Sequence, residues 1–190
     1  MLKLRQHMIL FHTGFSEIRR PDIHCGRKNA DFGQGFYLSP EEEFSCRWAR
    51  ERRDGDSYLN TYEFNEEGLR IKVLKKDEEW FSCIFANRRG KADTFSQYDV
   101  IAGPIANDTL YDTMGILTSG FLSDEQALQV LKLGPEYTQW VIKSEKALSQ
   151  LRWLSSRVLT KEEIASCRLT VQKEETEFQT QFAEKMQSFE

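Results

Sequence analysis

Asp31-Phe32-Gly33-Gln34-Gly35-Phe36-Tyr37-Leu38 restricts the possible folds of this chain more than any other segment. Two glycines one residue apart let the backbone bend tightly and come close to other groups, because neither carries a Cβ. An apolar aromatic strand, Phe36-Tyr37-Leu38, leaves the bend at once. His12 stands nineteen residues before Asp31 and closes the first strand-like run, Met8-Ile9-Leu10-Phe11-His12. A tyrosine beside a glycine bend can offer a flat face to a planar ligand. A histidine on a neighbouring strand can hydrogen-bond a hydroxyl. Together they suggest a nucleotide pocket.

Whole-chain properties exclude several classes. At 190 residues the chain is ordinarily one domain with a full core. No run of about 18 apolar residues is present, so no membrane span is expected. The first residues lack a signal-peptide core, since the apolar stretch Met8–Phe11 is short and runs into His-Thr-Gly. Cys25, Cys46, Cys83 and Cys167 are scattered, without a C-x-x-C pair, and read as reduced thiols of a cytoplasmic protein. A net charge of −4 gives no strong nucleic-acid signal. Three histidines without an H-x-x-x-H pair give no metal site, which weakens a metal-hydrolase reading.

The strand runs follow no regular alternation with helices. Runs at 8–12, 35–38, 58–64, 69–74, 98–105, 137–142 and 151–159 read as strands. Ser39-Pro40-Glu41-Glu42-Glu43 predicts a helix start with Ser39 as N-cap, running to Arg53 with Phe44, Trp48 and Ala49 on its core face. Further helices are expected at 77–89, 109–120, 124–132 and 144–148. From Thr160 the pattern is helical and charged, with one narrow stripe of Phe178, Phe182, Met186 and Phe189. Gly33-Gln34-Gly35 lacks the third glycine and the strand-then-helix setting of a dinucleotide fingerprint, so a Rossmann fold fits poorly. The expectation is an α+β fold with irregular, partly antiparallel sheets.

Phe11-His12-Thr13-Gly14, Asp31 to Tyr37 and a late strand opening with Gln139 resemble the ADP-ribosyltransferase fold of the H-Y-E type. More closely, the chain resembles a poorly characterised bacterial family related to that fold. Its pattern includes Asp31–Leu38, Phe85-Ala86-Asn87-Arg88, the block Tyr98–Asp108, and Gln139 through Leu148. The resemblance covers roughly residues 8–152 of one domain, the most distinctive part being the Tyr98–Asp108 block. It implies an ADP-ribosyltransferase-like domain over residues 1–159, made of a split pair of small mixed or antiparallel sheets flanked by helices. Residues 160–190 would form a charged helical extension peripheral to the cleft. NAD would lie between the sheets as a substrate. His12 would bond ribose hydroxyls and Tyr37 would stack on the nicotinamide. Thr13, Gly14, Gly33, Gly35, Phe36 and Asn107 would complete the binding surface. The acceptor would be a macromolecule, and the protein a bacterial toxin or effector with an antitoxin or other partner protein. The alternative is a catalytically inactive NAD- or ADP-ribose-binding or interaction domain on the same fold.

The family's third position usually carries glutamate, and here it is Gln139. Breaking the glycosidic bond builds positive charge on the ribose, which a carboxylate stabilises and an amide can only orient. Asp108, ahead of Asp31, is the candidate to supply that charge. Each residue also has a plainer role available. His12 can be a strand-end core histidine, Tyr37 a core tyrosine with a bonded hydroxyl, and Gln139 an edge polar residue. Asn107-Asp108 can be an Asx turn or helix cap, and Asn87-Arg88 a helix C-terminal cap.

Overall fold

The first two strand runs of the chain go to different sheets. The computed structural model describes residues 7–51, 53, 55–91, 93–106 and 122–189. Strand β1 (His7–Gly14) pairs antiparallel with β3 (Tyr58–Asn65), which pairs antiparallel with β7 (Leu151–Val158). Strand β2 (Phe36–Leu38) pairs with β6 (Thr138–Ile142), which pairs with β5 (Val100–Pro104), both antiparallel. A parallel edge strand, β4 (Ile71–Val73), completes this second sheet in the order β2-β6-β5-β4. The sheets meet where Phe11 and Ser39 exchange backbone hydrogen bonds of 2.8 and 2.9 Å. The protein is α+β with two small sheets, one antiparallel and one mixed.

Three apolar clusters set the layers. Leu10, Tyr62 and Phe64 of the first sheet pack against Phe36, Leu38, Val100 and Ile142 of the second, so the sheets share an inner core. Alternation along each strand sends the intervening residues outward. On the outer face of the second sheet, Ile101 and Val141 meet Trp80, Cys83 and Ile84 of α2 (Glu78–Arg88) and Val130 of α3 (Asp124–Leu131). Leu59, on the outer face of the first sheet, packs with Cys46, Ala49, Leu159 and Ile164. The short helix α4 (Glu145–Leu148) follows β6 and is capped by Ser144.

The long helix α5 (Lys161–Gln187) joins both outer faces. Its start is fixed by a capping box between Thr160 and Glu163. Ile164 belongs to the first sheet's outer cluster and Phe178, 2% exposed, to the second's. Those residues are separated by roughly 21 Å along a helix axis. The stripe read from the sequence docks on the protein's own body, with Phe182, Met186 and Phe189 against the same cluster as Phe178.

Most expected elements form, and one helix is much shorter than its pattern suggests. The helix α1 covers only Glu42–Ser45 and passes into a 3-10 turn, Cys46–Trp48, instead of continuing to Arg53. Its N-cap is Glu41, because the backbone N–H and C=O of Ser39 are committed to the bridge with Phe11. Past Trp48 the chain is pulled straight at Ala49, and the Ser57 hydroxyl accepts from Arg50 N–H and donates to Arg50 C=O. Tertiary hydrogen bonds override helix propensity there. Trp48 consequently leaves the core face and is 43% exposed, while Phe44 and Ala49 stay buried. Residues 109–120, expected as a helix, lie outside the described residues. All four cysteines are free thiols. Among the described residues no helix is long and apolar enough to cross a membrane.

Candidate functional site

The glycine bend is shaped by the protein's own packing. Gly33 has φ of 77°, a left-handed conformation that favours glycine. A Cβ on Gly35 would lie 2.6 Å from Val141 Cγ1 and 2.7 Å from Ile142 O, so only glycine lets β2 approach β6 here. The Tyr37 hydroxyl accepts from Phe32 N–H at 3.0 Å and donates to Gly33 C=O at 2.7 Å. Burial pushes that phenol far above its ordinary range. Lys143, nearly buried, donates to Phe32 C=O at 2.6 Å and pairs with Asp93 at 2.7 Å. Asp31 is ion-paired with Arg88, accepts from Ala106 N–H, and its carbonyl accepts from Asn87 Nδ2 at 3.0 Å. Asn87 and Arg88 thus hold the bend from α2.

His12 sits on β1 against the opposite side of β2. Its Nδ1 is 2.7 Å from Tyr37 C=O, and its ring lies 4.5 Å from that of Phe36. A carbonyl partner requires Nδ1 to carry the proton, which leaves Nε2 as an acceptor in the neutral ring. Burial lowers the imidazole pKa, with the backbone hydrogen bond opposing it, so the neutral form is favoured. A Cβ on Gly14 would stand 3.3 Å from Nε2. Glycine at that place lets the backbone pass close to the ring.

A second group of side chains gathers where β1 and α1 end and β6 begins. Thr13 Oγ1 lies 3.2 Å from Ser45 Oγ. The preceding residue, Phe44, stacks on Tyr137 with centroids 4.4 Å apart and meets Trp48 edge-on at 4.8 Å. Tyr137 precedes Gln139 by two residues, and Ile105 N–H bonds its carbonyl, which continues the β5–β6 ladder. Strand alternation therefore puts both side chains on one face. Gln139 pairs with Gly103 and is only 9% exposed. Its amide has no hydrogen-bond partner among the described residues, yet none of its polar atoms is sealed from solvent.

A family described as "Protein of unknown function (DUF3990)" matches residues 8–153. The chain belongs to that family. The match takes in the glycine bend, His12 and Gln139 and ends before α5. No curated protein and no solved structure matches the chain.

Within this DUF3990 unit the sequence candidates fall into two sets. His12, Gly14 and Phe36 lie together on one side of the bend. Thr13 and Gln139 lie with the α1 group. Tyr37 points its ring to the outer face of the second sheet, packed on the cluster of Phe32, Ile101 and Val141, away from the His12 imidazole. Gly33 and Gly35 serve the bend and its contact with β6. Asn107 and Asp108 lie outside the described residues. Sequence reading passed over Ser45, Arg47 and Tyr137, and placed Trp48 in the core. Its i, i+4 spacing from Phe44 imitates a helical stripe. No local pattern announces the Thr13–Ser45 contact, since its partners are 32 residues apart.

Proposed function

We propose that this chain is an NAD-dependent ADP-ribosyltransferase, releasing nicotinamide and passing ADP-ribose to a macromolecular acceptor, in the manner of a bacterial toxin or effector. The observation that carries this reading is Gln139, a nearly buried amide without a partner among the described residues, at the opening of the late strand. Buried polar side chains normally have partners. A nearly buried amide without a partner is free to bond a ligand hydroxyl. His12 Nε2 offers a second acceptor for a ribose hydroxyl.

The aromatic platform is better supplied by Trp48 than by Tyr37. The Tyr37 hydroxyl is fully engaged, whereas Trp48 is 43% exposed beside the Phe44–Tyr137 stack. Nicotinamide in NAD is a planar cation, and an indole face attracts it by stacking and cation–π interaction, on the order of 1–2 kcal/mol. In the transfer step Gln139 orients the ribose, and Asp108 is the acid assigned to stabilise its developing charge.

One observation favours the alternative of a catalytically inactive NAD- or ADP-ribose-binding domain. The reaction needs a carboxylate, Gln139 is neutral, and Asp31 is already neutralised by Arg88. Release of nicotinamide from NAD by the pure protein, with and without cell extract, decides between the two. A thermal shift with NAD but no release supports the binding domain. At about 100 times its dissociation constant a ligand adds about 2.7 kcal/mol of apparent stability, enough to detect. Neither shift nor release would reject both readings.

A further inference from the structure

Glu174, near the middle of α5, does more than decorate a surface helix. One carboxylate oxygen pairs with Arg47 of the 3-10 turn, and the other accepts from the Tyr137 hydroxyl at 2.6 Å. The side chains of Arg47 and Glu174 are only 17% and 14% exposed. The Arg47 guanidinium lies 5.5 and 5.4 Å from the Phe44 and Tyr137 ring centres, within cation–π reach of the stacked aromatics as well as of Glu174. An arginine fork and a phenolic hydroxyl aimed at one point make a receptor for a carboxylate or a phosphate.

The seam around this point is unlike the ends of the helix. Ile164 and Phe178 are the buried residues of α5, and they anchor it to the two outer clusters. Between them the helix stands over a cavity of about 270 Å³, lined by Arg47, Ala49, Arg50, Cys167, Arg168, Val171 and Gln172. Arg50 Nη1 spends its bonds on the neutral carbonyls of Arg47 and Ala49, and Arg168 approaches Glu51 only at 3.9 Å. Three arginines therefore line a space large enough for a diphosphate, and one of them, Arg47, also holds the Glu174 carboxylate.

We infer that Arg47 and Tyr137, with Arg50 and Arg168 beside them, form a binding site for a phosphate-bearing ligand, and that Glu174 is its intramolecular occupant. The incoming anion replaces the Glu174 carboxylate on Arg47 and Tyr137, and the middle of α5 loosens while Ile164 and Phe178 keep its ends seated. A diphosphate fits better than a carboxylate because it matches several guanidinium groups at once. The site goes beyond the transferase reading, since it needs no NAD cleavage.

Inorganic pyrophosphate is the probe, with full-length protein and two readouts. Calorimetry of wild type, Glu174→Gln and Arg47→Met should give binding at least tenfold tighter for Glu174→Gln, which keeps the shape and removes the competing charge. Binding should be lost in Arg47→Met. Hydrogen exchange of the wild type needs no variant, and saturating pyrophosphate should speed exchange of amides around Glu174 and leave those near Phe178 unchanged. Equal affinity of wild type and Glu174→Gln overturns the inference, as does unaltered exchange around Glu174 with pyrophosphate bound, or no binding to any of the three proteins. Pyrophosphate binding with these responses but without nicotinamide release would uphold the site and reject only the enzyme reading.

Discussion

Replacing Tyr37 by phenylalanine separates a structural tyrosine from a ligand-stacking one. The change keeps the ring and deletes an oxygen that accepts from Phe32 N–H at 3.0 Å and donates to Gly33 C=O at 2.7 Å. Phe32 is fully buried, so its amide finds no water to replace the phenol. An orphaned buried backbone group costs about 1–3 kcal/mol, and two of them about 3 kcal/mol together, because a carbonyl tolerates the loss better than an N–H. In a chain of this size each kcal/mol lowers the melting temperature by about 2–4 °C. Tyr37→Phe should therefore melt about 6–12 °C below wild type, with a matching fall in the urea midpoint. A variant as stable as wild type that has lost its response to NAD would refute the reasoning and return Tyr37 to the ligand.

Four further outcomes are expected. Trp48→Ala should weaken the NAD thermal shift and change stability by less than about 1 kcal/mol, because its side chain is already 43% exposed; a large drop in melting temperature would show a packing role instead. If the protein releases nicotinamide, Gln139→Ala should slow release up to about tenfold and Asp108→Asn by about a hundredfold, and the reverse order in single-turnover assays would move the charge-bearing role to position 139. The pKa of His12 is lowered from 6.5 in the folded protein, so its contribution to stability is complete above pH 6.5 and is lost as pH falls through the lowered value. Melting temperatures between pH 7.5 and 5 should decline in wild type and decline less in His12→Asn, whose amide can still donate to Tyr37 C=O. Arg88→Met should cost about 3–5 kcal/mol by denaturant titration, because it strands the nearly buried Asp31 carboxylate; a loss under 1 kcal/mol would mean that Asp31 is hydrated.

The strands were legible because period-two patterns such as Tyr62 and Phe64 reflect burial against one sheet. The start of α5 was legible too, because Thr160 and Glu163 form a local capping box. What escaped depends on partners distant in sequence. The helix after Ser39 ended early because Ser39 bonds Phe11 and Arg50 bonds Ser57. Asn87 and Arg88 look like an ordinary helix end until Asp31, more than fifty residues earlier, is brought beside them. For the site, residue types located His12 and Gln139 as candidates. They could not reveal that Tyr37 faces away from His12, since a bend between glycines leaves the direction of the following strand open.

The pairing of β3 with β7, and of β2 with β6, ties together segments about a hundred residues apart. During synthesis β3 leaves the ribosome long before β7 exists, and β2 long before β6. For that interval the nascent chain carries backbone edges without their native neighbours, rich in aromatic residues such as Tyr62, Phe64 and Phe36. Non-local topologies of this kind fold slowly, and their unfinished edges are where chains stick to one another. Yield from rapid expression should thus depend on chaperone supply and growth temperature more strongly than the stability of the finished protein would suggest.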